Sequence, residues 1–230
     1  YRGINEGVMA GLEKHHLMAP NPNILMSSVD CDEYVHRLTK RDFVGVSEHL
    51  LAGVEQLVQG GADWLVIASN TGHICYPAVR KAYPELPVFH IADSCASAAK
   101  RIRSQRVGLV GTKPTMQESY LKERLAEHGI ETVVPASEDV QDRIYEIICQ
   151  ELSYNLFMPE SRAYMVDAIL ELKNSGAEAC FLGCTEIELL VQQEHVPKVH
   201  LLPSAELHIQ AAVKILLGTN DFEDFAPNAN

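Results

Sequence analysis

No apolar run in this 230-residue chain approaches the ~18 residues that a membrane-spanning helix needs. Positive charge is also scarce. Lys and Arg number 19 against 31 Asp and Glu, a formal net charge of -12. That balance argues against nucleic acid or an anionic membrane as the main partner, although a local pocket can still be positive enough for an acidic substrate. Nucleotide motifs of the G-x-G-x-x-G or G-x-x-x-x-G-K-[ST] kind are missing. No H-x-x-x-H pair or Cys/His cluster suggests a metal. The cysteines, Cys31, Cys75, Cys95, Cys149, Cys180 and Cys184, form no zinc-type C-x-x-C pair, and several sit inside apolar patterns. They read as reduced thiols of a cytoplasmic protein rather than as a disulfide framework. No signal peptide is visible. A thiol site that uses no cofactor is what these absences leave.

What is present is alternation. Strands are expected at Ile24–Val29, Trp64–Ala68, Val88–Ile91, Val107–Val110, Thr132–Val134, Ala179–Leu182 and Val199–Leu202. Helical patterns lie between and after them, at Asp42–Gln59, Ala92–Arg103, Thr115–His128, Glu138–Leu152, Ser161–Asn174, Ile187–Gln193 and Ala205–Leu217. Such alternation implies βαβ units, hence an α/β fold with parallel sheet flanked by helices. The opening segment Tyr1–Leu17 is helical, where a domain of this kind would start on a strand. The tail after Leu217 loses the pattern and is expected to be loose.

An internal echo suggests two pseudo-symmetric lobes, each a parallel sheet, with the active site between them. "GADWLVIASNT" (Gly61–Thr71) aligns without gaps on "GAEACFLGCTE" (Gly176–Glu186), which sets Ser69 opposite Cys184. The plainer alternative is that all α/β units look alike. The lobes expected are 1–91 with 203–217, and 92–202, followed by the tail 218–230.

In open parallel sheets ligands bind beyond the carboxyl ends of strands. Cys184 is at such an end, followed by Thr185 and Glu186, and a helix start there should lower its pKa and favour thiolate. Ser69-Asn70-Thr71 holds the matching place. Its groups could bind a carboxylate or simply cap a helix. Thr112 and Thr115 in "VGTKPTM" carry the same two readings. His73, His90 and His208 are equally well read as packed core residues. Cys75 lies too far along the next helix to replace a thiol at 69.

Together these segments resemble the cofactor-independent aspartate/glutamate racemase family. "GAEACFLGCTEIELL" is similar to its second-cysteine signature and "VIASNTGH" to its first, while "HIADS", "VGLVGTKPTM" and "SSVD" fit the pattern between. The resemblance implies an amino-acid racemase that needs no pyridoxal phosphate or other cofactor. It also implies a small-molecule amino-acid substrate and a homodimer. Cys184 would be one of an acid/base pair. Asn70, Thr71, Thr112, Thr115 and Thr185 would hold the α-carboxylate and amino group, Ser28 would line the pocket, and Arg162 would meet a side-chain carboxylate.

Three departures shape the expectation. Ser69 replaces the first cysteine, and a hydroxyl is a far weaker acid than a thiol. The family's opening strand is not seen ahead of Tyr1, and Pro203 stands where relatives carry Asp. The reading is therefore a racemase biased toward one enantiomer. A single-cysteine decarboxylase of the malonate type and a silent amino-acid-binding homologue are the alternatives.

Overall fold

The alternation is realised as parallel pairing in every strand pair found, because each strand returns through a helix rather than a tight turn. The computed structural model of the protein describes residues 1–12 and 21–227. Two compact units are distinguished. One comprises Tyr1–Ala68, Gly72–His90 and Ile209–Asp224, and the other Ser69–Thr71, Ile91–His208 and the stretch from Phe225.

The first unit carries α1 (Arg2–Gly11), α2 (Cys31–Thr39), α3 (Phe43–Gln59), β1 (Leu65–Val66), α4 (Tyr76–Ala82) and β2 (Val88–Phe89). The second carries α5 (Ile91–Arg101), β3 (Arg106–Gly111), α6 (Lys113–Gln117), α7 (Tyr120–Glu127), β4 (Glu131–Val133), α8 (Glu138–Gln150), α9 (Pro159–Asn174), β5 (Ala179–Gly183), α10 (Ile187–Leu190) and β6 (His200–Pro203). The last helix, α11 (Ser204–Leu216), starts in the second unit and ends in the first.

The second unit is a four-stranded parallel sheet in the order β4-β3-β5-β6. Its two central strands are buried almost throughout, and alternate residues feed two separate cores. Val107, Leu109, Ala179 and Phe181 pack with residues of α5 and α7. Val110, Cys180 and Leu182 pack with residues of α8 and α9 on the other face. Period-two alternation between two covered faces explains why these strands read as unbroken apolar runs. A buried ion cluster adds to the first of these cores. Asp93 accepts from Arg124 at 2.7 and 2.9 Å and lies 2.8 Å from His128 Nε2.

The first unit is organised by helices. Its two strands are two residues each, with Leu65 opposite Val88 and Val66 opposite Phe89. Gly3, Gly7 and Gly11 form one stripe of α1 directly against Ile209, Val213 and Leu217. A methyl added at Gly7 would come 2.7 Å from the Val213 side chain. This spacing of four puts one face of α1 against one face of α11 with no side chain to spare.

Several expectations are corrected. Ile24–Val29 is not a strand, and nothing among the described residues pairs with it. Met26 is 74% exposed, and Ile24, Leu25 and Met26 line a cleft of about 280 Å³ together with Trp64, Leu65 and Val66. An extended segment without a hydrogen-bonded neighbour has nothing to hold it as a strand. The helix expected over Thr115–His128 is two, because Glu118 is extended and ends α6. The C-terminal segment is not featureless. It forms a 3-10 turn at Phe222–Phe225, with Phe222 edge-on to Trp64 at 5.4 Å between centroids. The helix expected over Tyr1–Leu17 is observed to Gly11, and residues 13–17 lie outside the described residues.

Candidate active site

Register brings three strand ends of the second unit almost level. Gly111 of β3 lies opposite Gly183 of β5, and Leu182 lies opposite Pro203 of β6. The residues that follow, Thr112, Cys184 and Ser204, therefore stand side by side on strands about 4.8 Å apart. The two glycines make room for this. A Cβ on Gly111 would lie 2.7 Å from the Gly183 carbonyl oxygen, and one on Gly183 would lie 2.9 Å from the Thr115 methyl.

Ser69-Asn70-Thr71 is tied to the same edge at two points. Asn70 Nδ2 donates to Ser204 Oγ at 2.8 Å. The Thr71 hydroxyl lies 2.8 Å from that of Thr112 and 3.2 Å from that of Thr115. The triplet thus reaches from the end of β6 to the end of β3, and β5, which delivers Cys184, runs between them.

Thr71, Thr112 and Thr115 form a closed triangle of hydroxyls, with Thr112 and Thr115 2.9 Å apart and Tyr120 3.1 Å from Thr115. Thr112 also accepts from the Thr115 backbone N–H at 3.3 Å, so it caps α6 as well. Hydroxyls that now satisfy one another can turn their protons toward an anion at small cost. Asn70 shows the complementary preference. It is 3% exposed, and its Oδ1 has no hydrogen-bond partner among the described residues. A buried acceptor without a donor costs about 1–3 kcal/mol, so the position favours a ligand that brings an N–H group.

Cys184 corrects an expectation. Its thiol is pushed well above the usual range, first by burial and then by the adjacent Glu186 carboxylate. Backbone N–H groups of Glu186 and Ile187 pull the other way. They do not win, because α10 spans only Ile187–Leu190 and Cys184 is 6% exposed. The resting form is therefore thiol, and Sγ donates to Glu186 Oε2 at 3.0 Å. Thr185 donates its hydroxyl proton to the same oxygen at 2.8 Å, which leaves the Thr185 oxygen free to act only as an acceptor. Further along α10, burial raises Glu188 to about 7 despite backbone N–H bonds from Ala205 and Glu206.

Other candidates fall elsewhere. Ser69 is half-buried at the start of the triplet. Arg162, on α9, donates through Nε to the Leu190 carbonyl at 2.9 Å, which anchors the end of α10. Ser28 belongs to the first unit, where it is exposed two residues ahead of Asp30, the cap of α2. His73 and His90 are buried core rings whose centroids lie 4.4 Å apart, with Tyr76 edge-on to His90 at 4.7 Å. Cys75 is buried and raised to about 12 by desolvation. All six cysteines are free. Among the described residues no group of three or more His, Cys, Asp or Glu could hold a metal ion, and no helix is long and apolar enough to cross a membrane.

Three members of this constellation were not picked out as site residues from sequence. Glu186 had a signal, a carboxylate two residues beyond the candidate thiol. Ser204 had a weaker one, a hydroxyl following a strand. Tyr120 had none, because it reaches Thr115 only after the chain breaks between α6 and α7.

Comparison with known proteins places the chain in a family. The Asp/Glu/hydantoin racemase family model matches residues 2–212. A glutamate racemase of Roseiflexus sp. is 29% identical over 140 residues, which are 60% of this chain and 49% of that protein. One from Mycobacterium leprae is 27% identical over 180 residues, 74% of this chain and 62% of that protein. The chain thus spans 49% and 62% of the length of these two curated relatives. Among solved structures, a putative Asp/Glu racemase from Yersinia pestis superposes with a TM-score of 0.82 at 31% identity, covering 94% of this chain and 92% of that one. An aspartate racemase homologue from Pyrococcus horikoshii gives 0.75 at 27% identity, covering 96% and 92%.

Proposed function

The chain belongs to the Asp/Glu/hydantoin racemase family, and on that footing we propose that it racemises an acidic or related amino acid without a cofactor. Cys184 removes the α-proton from one face, and a proton is supplied to the other face at Ser69, directly or through water. The α-carboxylate sits on the Thr71, Thr112 and Thr115 hydroxyls. The ammonium group donates to Asn70 Oδ1 and to the Thr185 oxygen, whose own proton is committed to Glu186.

The observation that carries this reading is the pair of opposite preferences flanking one thiol. Donor hydroxyls stand after β3, and on the other side stands the unpartnered buried Asn70 oxygen, whose amide N–H donates to the residue after β6. A zwitterionic amino acid matches both ends. Malonate brings no N–H group, and its second carboxylate would face the Asn70 oxygen, so the decarboxylase alternative is disfavoured. Because Ser69 is a poor base at neutral pH, removal of the α-proton from the Cys184 face is faster, and the two enantiomers exchange unequally.

Proton NMR in D2O tests this by following α-hydrogen exchange of D- and L-aspartate and D- and L-glutamate. Exchange of at least one enantiomer is expected, faster from one hand than from the other. No exchange from any of the four, in protein that binds them by calorimetry, would leave a silent amino-acid-binding homologue.

A further inference from the structure

Four hydroxyls meet around the start of α6, and their protons can be counted. Thr71 lies 2.8 Å from Thr112 and 3.2 Å from Thr115, Thr112 lies 2.9 Å from Thr115, and Thr115 lies 3.1 Å from Tyr120. A hydroxyl has one proton to give and two lone pairs that can receive. The three contacts of the threonine triangle therefore use the three threonine protons, one each around the ring. Only the Tyr120 proton is left to make the fourth contact, so the phenol donates to Thr115. Acidity points the same way, because a phenol is a better donor than an aliphatic alcohol.

The direction of that bond matters when the triangle opens. As the three hydroxyls turn their protons to a carboxylate, each threonine oxygen loses the donor it had from its neighbour. Two of the three keep another donor behind them. Thr112 still accepts from the Thr115 backbone N–H at 3.3 Å, and Thr115 still accepts from Tyr120. Tyr120, Thr115 and the carboxylate then form a line of hydrogen bonds in which each polarises the next. Thr115 is fully buried, so bulk water does not stand in for the phenol.

Tyr120 opens a helix that is fixed from two sides. Arg124 and His128 of α7 both meet Asp93 of α5. Lys122 donates to the Met116 and Gln117 carbonyls at the end of α6, at 3.0 and 2.9 Å. The phenol therefore reaches Thr115 from a backbone that does not have to be ordered when a ligand arrives.

We infer that Tyr120 is a positioning residue of the α-carboxylate site, backing the Thr115 hydroxyl as it turns to the ligand. The inference rests on the racemase reading for the identity of the anion, but not for the direction of the bond.

The test is calorimetric titration at pH 6 with aspartate and glutamate and with their α-amides, isoasparagine and isoglutamine. The amides keep the ammonium group and lack the α-carboxylate charge. Tyr120→Phe keeps the ring and removes the donor. It should weaken binding of the two acids by about five- to tenfold, as loss of one hydrogen bond of ordinary net strength implies. Binding of the amides should change by less than about twofold. Site-specific 3-fluorotyrosine at position 120 is a stronger donor and should tighten the acids by about twofold. Equal losses for acids and amides would make Tyr120 a structural residue, and unchanged acid binding would show that the phenol does not act through Thr115. Either result overturns the inference and leaves the racemase reading standing. Weaker acid binding with fluorotyrosine would make the phenol an acceptor, which overturns it as well. A wild type that binds neither acid would instead remove the carboxylate site of the racemase reading, and the inference with it.

Discussion

The two echoing segments, Gly61–Thr71 and Gly176–Glu186, begin alike and end differently. Each follows a helix that stops in the same way. Gly60 and Ser175 donate to the residue four back, Gly61 and Gly176 take positive φ of 86° and 96°, and Ala62 and Ala177 donate to Leu57 and Leu172 at 3.0 Å. A similar stop recurs at Gly129, with φ 77° and Ile130 donating to Leu125. So this part of the echo is the common way a helix hands over to a strand. Beyond the stop the segments part. Gly176 leads into a five-residue strand with neighbours on both sides, while Gly61 leads into two residues with one neighbour. The first delivers a buried thiol bonded to Glu186, and the second a half-buried hydroxyl beside tethered Asn70 and Thr71. A shared sequence frame thus carries a buried thiol at one end and a half-buried hydroxyl at the other.

The sharpest break of that comparison is at the chemistry. Cys184→Ala should lower α-hydrogen exchange by about 10³-fold or more for every amino acid used, the loss expected of an essential acid/base group. Retained exchange would assign the base elsewhere. Ser69→Cys should make the ends equivalent, raising exchange of the slower enantiomer by about 10²-fold while changing the faster one little. Equal gains for both hands would show that Ser69 does not serve one face.

Packing separates the ends next. Gly183→Ala puts a methyl 2.7 Å from Leu109 Cδ1 and 2.9 Å from the Thr115 methyl, and overpacking of this kind costs about 1–3 kcal/mol. Gly61→Ala meets nothing within 4 Å and should cost only about 1 kcal/mol, from its positive φ. Urea midpoints of the two variants measure the contrast, and equal losses would deny that the β5 end is the tighter.

The smallest effect is electrostatic. Burial raises Glu188 from 4.5 to about 7, so the folded protein holds this proton more tightly than the unfolded chain does. Its contribution is complete below pH 4.5 and is lost as pH rises through about 7. After discounting for partial exposure, about 1–2 kcal/mol should disappear between those limits. Glu188→Gln should show a correspondingly flatter stability between pH 5 and pH 8. An unchanged slope would place the pH dependence on other groups.

Much of the second unit was legible in the sequence because its strands are buried on both faces and sit between strong helical patterns. The four strands of its sheet were each expected within a residue or two, and Cys184 was marked by its place after an apolar run. The two short strands of the first unit were overestimated, and Ile24–Val29 was misread, for one reason. An apolar run records the wish to be buried, not the presence of a hydrogen-bonding neighbour. The pKa of Cys184 was misjudged because desolvation and the direction of the Glu186 side chain have no linear signature.

The sequence by itself determined the alternation of elements, the helix stops at glycine and the polar residues at strand ends, Ser69 among them. These are local matters of period, φ and residue type. Only the tertiary structure decided which strand ends stand level, that Asn70 bonds Ser204 across 134 residues of chain, and that the thiol keeps its proton against Glu186. Register and burial are set by the packing of distant segments, and a side chain's pKa answers to that environment rather than to its neighbours in sequence.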